Sequence, residues 1–334
     1  MKRLFLLFAV VGMLFTACSE VGTSEQPTPT EPEYVTVSLG LNVGLDYGYQ
    51  PLSRAEENND LYGIQVYSTP VPATENAKWT KYAYGLFDTT DNLTIKLIRG
   101  YEYKFVARMV KDGKNKVDHY SDGTYGGPFS HATSSSGNTT NYQHTPLSTS
   151  FIYSNLGMGY LHKNDIGGTD HPTVESYYGE LEGYIPGDND SKATIELERT
   201  SFGVKYIAKG DYAENGTLEI MMNSATQLNL NLAESNEVSE IYTFENVRAA
   251  WLDENYTETI SVTLRLAYSD GTSAPLGTHN ITFKRNTTTV VNVDLTLSGD
   301  SGVGFVVTDG GEMPEDSEIT IKDGEIVDTE IEAN

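Results

Sequence analysis

Residues 34–45 read YVTVSLGLNVGL. Val35, Val37, Leu39, Leu41, Val43 and Leu45 take every second position, with Thr36, Ser38, Gly40, Asn42 and Gly44 between them. Successive side chains of an extended chain point to opposite faces, so this spacing predicts a strand with one face in a core and the other in water. The same period recurs downstream. Leu61 to Tyr67 and WTKYAYGLF read as strands; Leu93, Ile95 and Leu97 run into Arg99-Gly100 and return as Tyr101, Tyr103, Phe105, Ala107 and Met109, which reads as a hairpin.

After the turn cluster PGDNDSK, fresh strand patterns begin in ATIELERTSFGVKYIAK and GTLEIMM. More follow at Glu240 to Phe244, Thr259 to Tyr268, His279 to Lys284 and Thr289 to Leu297, with turn clusters such as Ser269-Asp270-Gly271 between them. Only NLNLAESNEVSE (229–240) hints at a helix. Regular short strands with polar turns predict an all-β chain of two tandem antiparallel β-sandwiches, an N-terminal one over 34–192 and a C-terminal one over 193–334. Residues from about Asp118 to Asp170 are rich in Ser, Thr, Gly, Tyr and His and read as a long surface loop.

Upstream of the first strand, residues 19–33 (SEVGTSEQPTPTEPE) combine Pro, Thr and Glu with almost nothing apolar, so a flexible tether is expected over 18–33. Before it, Lys2 and Arg3 precede an apolar run from Leu4 to Phe15 that ends in Thr16-Ala17-Cys18. A basic start, a short apolar centre and a small residue before the cut make 1–17 a secretory signal, and Cys18 makes it the lipidated kind. The run is too short to span a bilayer, which takes about 20 residues. The expected anchor is therefore a lipid on Cys18.

The chain carries 22 basic and 47 acidic residues, a net charge of −25, and loss of the leader makes it −27 because Lys2 and Arg3 go with it. Such a charge repels phosphate backbones, so nucleic acid is not an expected partner. Cys18 is the only cysteine. Once it is acylated, disulfides, thiolate metal sites and cysteine nucleophiles are excluded.

No catalytic set emerges. The six histidines form no HExxH or HxH, and five of them (His119, His131, His144, His162 and His171) fall in the long loop, where they read as a scattered surface set with no metal. Asp188-Asn189-Asp190-Ser191 lacks the glycine and glutamate of a calcium loop, and Asn155-Leu156-Gly157-Met158-Gly159 is no phosphate loop. There is no GxSxG elbow. No cofactor is expected, and no enzyme. Tyrosine is in excess, at 22 residues. Aromatic faces of the N-terminal half, such as Tyr82, Tyr84, Tyr101, Tyr103, Tyr177 and Tyr178, could stack on sugars or be half-buried strand residues.

The order of these features resembles the fimbrillin superfamily of Bacteroidales, the lipoprotein precursors of type V pili and their accessory subunits. The resemblance spans nearly the whole chain. It rests on the leader ending at Cys18, the strand Val35 to Leu45, Ser53-Arg54-Ala55 after it, Leu197-Glu198-Arg199, and Lys284-Arg285-Asn286 before the last long strand. It implies a non-enzymatic pilus subunit or adhesin at the outer membrane or cell surface, held by its lipid, with other pilus subunits, itself, or host and glycan ligands as partners. In pilins of that family a trypsin-like protease cuts after an arginine that follows the first strand. The matching bond here is Arg54 to Ala55, and the cut would release the strand carrying Val35, Val37, Leu39, Leu41, Val43 and Leu45. Another subunit's extended segment then fills the groove. Members that keep their first strand and lipid are the alternative, as is a stand-alone lipoprotein that binds glycan.

Burying a Val or Leu side chain contributes roughly 1.5–3 kcal/mol, so the six together amount to on the order of 10 kcal/mol gross, as large as the net stability of a domain. A vacated groove would expose apolar pockets and unpaired backbone, and an added strand satisfies both. The candidate donor is the tail SEITIKDGEIVDTEIEAN, whose Ile319, Ile321, Val327 and Ile331 share one phase. Asp323-Gly324 is also a two-residue hairpin signal, so the tail reads either as a donor strand or as a local hairpin.

Overall fold

The computed structural model describes residues 32–43, 59–72, 78–119, 125–129, 156–157, 161–163, 167–187, 192–210, 216–295, 305–312, 320–322 and 325–327. Cys18, Leu45, Arg54, Ala55, Ile319 and Ile331 lie outside them, and for Ile321 and Val327 only the backbone is described.

The chain is all-β. Its strands are β1 (Tyr34–Val43), β2 (Leu61–Pro70), β3 (Thr80–Phe87), β4 (Thr94–Ile98) and β5 (Tyr101–Val110), then a single turn of helix, α1 (Gly113–Lys116). Two short strands, β6 (Leu161–Lys163) and β7 (Gly167–Thr169), precede β8 (Ser176–Tyr184) and β9 (Lys192–Arg199). Next come β10 (Ser201–Lys209), β11 (Gly216–Met222), β12 (Leu228–Asn231), β13 (Glu237–Thr243) and helix α2 (Val247–Leu252). The chain closes with β14 (Thr257–Tyr268), β15 (Ser273–Lys284), β16 (Thr287–Asp294), β17 (Phe305–Glu312), β18 (Thr320–Lys322) and β19 (Glu325–Val327). Among the described residues no helix is long and apolar enough to cross a membrane.

The first seven-stranded sheet runs β3-β2-β5-β8-β9-β1-β4. Its β8 and β9 share only the pairs Tyr177↔Arg199 and Tyr178↔Glu198, so the sheet folds over at that corner into two facing layers, β3-β2-β5-β8 and β9-β1-β4. Gly179 permits the fold: a Cβ there would stand 2.0 Å from the carbonyl oxygen of Glu196. Between the layers lies one core, to which β1 gives Val37 and Leu39, β2 gives Ile64 and Val66, and β9 gives Ile195 and Leu197. The second pair of sheets, β13-β10-β16-β17 and β12-β11-β14-β15, encloses a core centred on Phe202. That ring stacks against Tyr242 and Phe283 and packs on Phe244 at centroid distances of 4.7–5.7 Å. Residues 34–334 form one compact unit.

The two sandwiches repeat an arrangement without repeating sequence. Each opens with a strand that lies parallel beside a much later one: β1 on β9 and β10 on β16. The ladders are therefore not all antiparallel, as the sequence led one to expect, because first and late strands enter the sheet from the same end.

Three other expectations give way. The hairpin read at Leu93–Met109 is a crossing between layers: β4 pairs with β1, while β5 pairs with β2 and β8. Gly100, at φ 79°, makes the corner, and the Tyr103 hydroxyl bonds to both the N–H (2.7 Å) and the carbonyl (3.1 Å) of Ile98 across it. The helix hinted at in 229–240 is strand, turn and strand; Leu230 and Leu232, two apart, are both buried, a strand period. Within the stretch read as surface loop, Tyr125, Phe129 and Leu156 are buried against the outer face of β2-β3-β5-β8. That face is apolar on Leu61, Tyr84, Leu86 and Val106 and needs a cover.

The change from one core to the next falls at Thr200. Ala193, Ile195 and Leu197 belong to the first core and Phe202 and Val204 to the second, so β9 packs with the strands before it. A network of buried charges spans the change. Arg199 Nε donates to Glu175 Oε1 at 2.8 Å, its Nη2 donates to the Tyr177 hydroxyl at 3.1 Å and its Nη1 to Asn286 Oδ1 at 2.7 Å. Arg285 Nε donates to the Arg199 carbonyl at 2.7 Å and its Nη2 to Glu198 Oε2 at 2.6 Å. Arg199 and Arg285 are 8% and 7% exposed. Burial pushes the Glu175 carboxyl up, but the Tyr177 hydroxyl and the charges of Arg199 and Lys111 outweigh it and hold it below the usual range.

A carboxylate with a depressed folded-state pKa adds stability above its unfolded value, about 4.3, and that stability is lost as pH falls through the folded value. Glu175→Gln is therefore expected to destabilise the protein by about 3 kcal/mol at pH 7. The difference from wild type, read from urea unfolding midpoints, should shrink steadily as pH drops below about 4.

Candidate functional site

Two features stand out from the sandwich frame. The first is β1. Its Tyr34–Ser38 pairs antiparallel with Ile98–Thr94 of β4, and its Ser38–Val43 pairs parallel with Lys192–Leu197 of β9. Val37 is fully buried and Leu39 is 5% exposed, while Val35, Leu41 and Val43 pack on the same core half-buried. The intervening Thr36, Ser38 and Asn42 are exposed. Period-two alternation thus produces the one-sided strand that was expected. Among the described residues β1 is the only strand paired with β4. Taking β1 away would strip β4 of its ladder and open the edge of β9, leaving a slot floored by Ile95, Leu97, Ile195 and Leu197. The chain leaves β1 at Val43 for the segment 44–58, which holds Arg54.

At the other end, β17 extends the sheet edge antiparallel to β16. In the tail, Thr320–Lys322 pairs antiparallel with Glu325–Val327, placing Ile321 opposite Ile326.

The second feature is a cleft of about 290 Å³ on the outer face of the first sandwich, the space of about ten waters. Tyr67 of β2, Lys104 of β5, Tyr178 and Glu180 of β8, Trp79 ahead of β3 and Arg248 of α2 line it. Alternation along β8 brings Tyr178 and Glu180 to one face. Helix α2 carries Arg248 there because Val247 is buried against the first sandwich, and the Asn246 side chain caps the helix by accepting from the Ala249 N–H at 2.9 Å. Trp251 meets Tyr178 edge-on at 5.6 Å, so both tryptophans of the chain border this region. Trp79 is 38% exposed and Tyr178 only 2%.

Glu180 organises the cleft. It accepts from the Tyr178 hydroxyl at 2.6 Å, Lys104 Nζ at 2.6 Å and Arg248 Nη2 at 3.2 Å. Burial pushes its carboxyl up, yet Arg248, Lys104 and Tyr178 more than reverse that and hold it below the usual range. Burial and the neighbouring Glu180 push the Tyr178 phenol up, so it stays a donor. Beneath the cleft Arg108 is wholly buried, with Nη2 donating to Ser176 Oγ at 2.9 Å and Nη1 to the Leu156 carbonyl at 3.4 Å. Burial pulls its pKa down to about 9, against an opposing contribution from Tyr178. An aromatic wall beside a fixed constellation of donors and one carboxylate can bind a polyhydroxylated ring: stacking takes its apolar face, and the charged groups take its hydroxyls.

Of the six tyrosines singled out from sequence, Tyr84, Tyr103, Tyr177 and Tyr178 are core residues and only Tyr178 reaches the cleft. Trp79, Lys104, Glu180 and Arg248 went unnoticed. The pairing of Arg248 with Glu180 spans 68 residues and leaves no local pattern. The one readable sign was Tyr178-Gly179-Glu180, an aromatic and an acid on one strand face. His171, read as a surface residue, is 4% exposed.

No protein-family model matches the chain, and no curated protein matches it in sequence. Similar solved structures include a fimbrial assembly protein from Parabacteroides distasonis, at 12% identity over 84% of this chain and 97% of that one, with a TM-score of 0.36. Others are the fimbrial anchor protein Mfa2 from Porphyromonas gingivalis (9%, 82% and 97%, TM-score 0.33) and a candidate polysaccharide-binding protein from Bacteroides thetaiotaomicron (11%, 81% and 95%, TM-score 0.38). The overlaps run nearly end to end while the superpositions are loose.

The burial of β1 sets its energetic weight. Leu39→Ala should lower stability by about 2–4 kcal/mol, whereas Tyr34→Ala, at a side chain 54% exposed, should change it by less than about 0.5 kcal/mol. Guanidinium unfolding of both variants measures the contrast.

Proposed function

We propose that this chain is a non-enzymatic structural or adhesive subunit of a cell-surface pilus, exported as a lipoprotein precursor acylated at Cys18 and assembled by proteolysis-triggered strand exchange. The observation that carries the reading is the placement of β1: one amphipathic strand at the N-terminal side of the body, between β4 and β9, with core residues on one face. Cleavage at Arg54–Ala55 would detach it from everything downstream. The vacated slot asks for an extended, one-sided segment of another subunit or another copy. The tail around Ile319, Ile321, Val327 and Ile331 is the candidate donor, and to donate it must first open the β18–β19 pairing. Such a subunit works at the outer membrane or in fimbriae, with other subunits as partners and host or glycan ligands as targets.

Limited trypsin treatment of the full chain, followed by N-terminal sequencing and size-exclusion chromatography, tests this. The expected outcome is a new N-terminus at Ala55, loss of β1 and growth of oligomers, with a chain ending at Pro314 cut but monomeric. Cut protein that keeps β1 and elutes as a monomer would overturn strand exchange; polymerisation of the shortened chain would remove the tail as donor.

The cleft favours a second reading, a surface lipoprotein that binds glycan through Trp79, Tyr178 and the Glu180 set. On that reading Trp79→Ala lowers affinity for a bound oligosaccharide severalfold to about tenfold on a glycan array, since a stacked ring is worth roughly 0.5–1.5 kcal/mol, and leaves the unfolding midpoint in place.

A further inference from the structure

His171 lies on the segment between β7 and β8, neither paired with β1 nor lining the cleft. Its position is fixed by backbone contacts: the N–H groups of Asp170 and His171 donate to the Ser224 carbonyl at 3.1 and 2.9 Å, and the Thr169 hydroxyl donates to the same oxygen. A parallel bridge to Ala225 holds the segment against the turn after β11. The ring is thus immobilised at 4% exposure.

Its two nitrogens face different groups. Nδ1 stands 3.2 Å from the Asn223 carbonyl, which can only accept, so Nδ1 carries a hydrogen. Nε2 stands 2.8 Å from Glu258 Oε1. In the neutral ring Nε2 then presents a lone pair to a carboxylate, and a cation must lie between two such acceptors. A proton on Nε2 is one answer. It does not serve the rest of the cluster, because Glu245 brings a second carboxylate oxygen, the three ligand atoms lying within 4.8 Å of one another. Glu258 Oε2 is buried with no hydrogen-bond partner, a costly condition for a carboxylate oxygen. Among the described residues no lysine or arginine forms an ion pair with Glu245 or Glu258.

We propose that His171, Glu245 and Glu258 form a divalent-cation site that takes a borderline-soft metal of the Zn²⁺ class. One imidazole nitrogen with two carboxylates is a ligand set for Zn²⁺, whereas Ca²⁺ and Mg²⁺ take oxygen alone. The Asn223 carbonyl on Nδ1 is the supporting contact that orients a metal-bound histidine. Ligands at about 2.1 Å in a tetrahedron are about 3.4 Å apart. Nε2 and Glu258 therefore part by roughly half an ångström, and the exposed Glu245 swings in. Water completes the shell. The ion ties the approach to β8, the loop ahead of α2 and the start of β14 at one point, fastening the connection into β8 of the first sandwich to the second sandwich.

The test is a titration of the chelator-stripped full chain with Zn²⁺, read by calorimetry and by the thermal unfolding midpoint, with Ca²⁺ as comparison. Wild type should take up one Zn²⁺ with a rise in midpoint. His171→Gln and Glu258→Gln should weaken binding at least tenfold and abolish the rise. His279→Gln, at a histidine bound elsewhere to the Leu276 carbonyl, should bind as wild type. Because His171→Gln can fail to fold, Glu245→Gln on the exposed rim decides: it should weaken Zn²⁺ at least severalfold with the metal-free midpoint unchanged. No uptake by wild type, Ca²⁺ bound as tightly as Zn²⁺, or wild-type affinity in Glu245→Gln overturns the site.

Discussion

The buried pairing of Arg199 with Glu175 is the constraint on which the arrangement of the two sandwiches rests. Taking a guanidinium and a carboxylate out of water costs several kcal/mol per ion. That cost is met only where every remaining donor and lone pair finds a partner. Here Tyr177, Lys111 and Asn286 supply them, and they come from β8, the end of β5 and the turn before β16. Its last contact, Arg199 to Asn286, therefore forms only when the second sandwich is in place beside the first. Directional, satisfiable only in one geometry, it does at the junction what apolar packing does within each sandwich, and it adds a specificity that packing lacks.

The same junction gathers two tripeptides that look unrelated in the sequence. Leu197-Glu198-Arg199 and Lys284-Arg285-Asn286 meet through Arg285 on Glu198 and Arg199 on Asn286, pairs 87 residues apart. Asn286, at φ 60°, takes a left-handed turn conformation that this residue type tolerates better than most. Each motif by itself is a commonplace string of charge, and its meaning lies in the other.

What could be read from the chain, and what could not, follows from the range of the forces. The alternation in 35–43 needs only the two-residue period of a strand and an apolar–polar contrast, so β1 and its inward face were legible. The same was true of GTLEIMM and of the Ser269-Asp270-Gly271 turn, where Asp270 accepts from the Thr272 N–H at 2.8 Å. The corner at Arg99-Gly100 was misread because a glycine turn between two strands looks alike whether the strands pair or part. That choice belongs to β1 and β2, which claim β4 and β5 separately. Glu180 with Arg248, and His171 with Glu258, are contacts across 68 and 87 residues. No local pattern announces them.

The parallel pairing of β1 with β9 has a bearing on how the chain comes to be folded. Asn42 and Glu196, side by side in the two strands, are 154 residues apart, so this side of the first strand is among the last ladders to form, although its other side meets β4 much nearer in the chain. Closing a loop of that length must precede any gain from the contact, and such pairings form slowly. The facing layer, β3-β2-β5-β8, has its own covering layer in Tyr125, Phe129 and Leu156. The strand is thus a seam between the oldest and the youngest parts of its sandwich, fastened early along one edge and closed along the other only when β9 is in place.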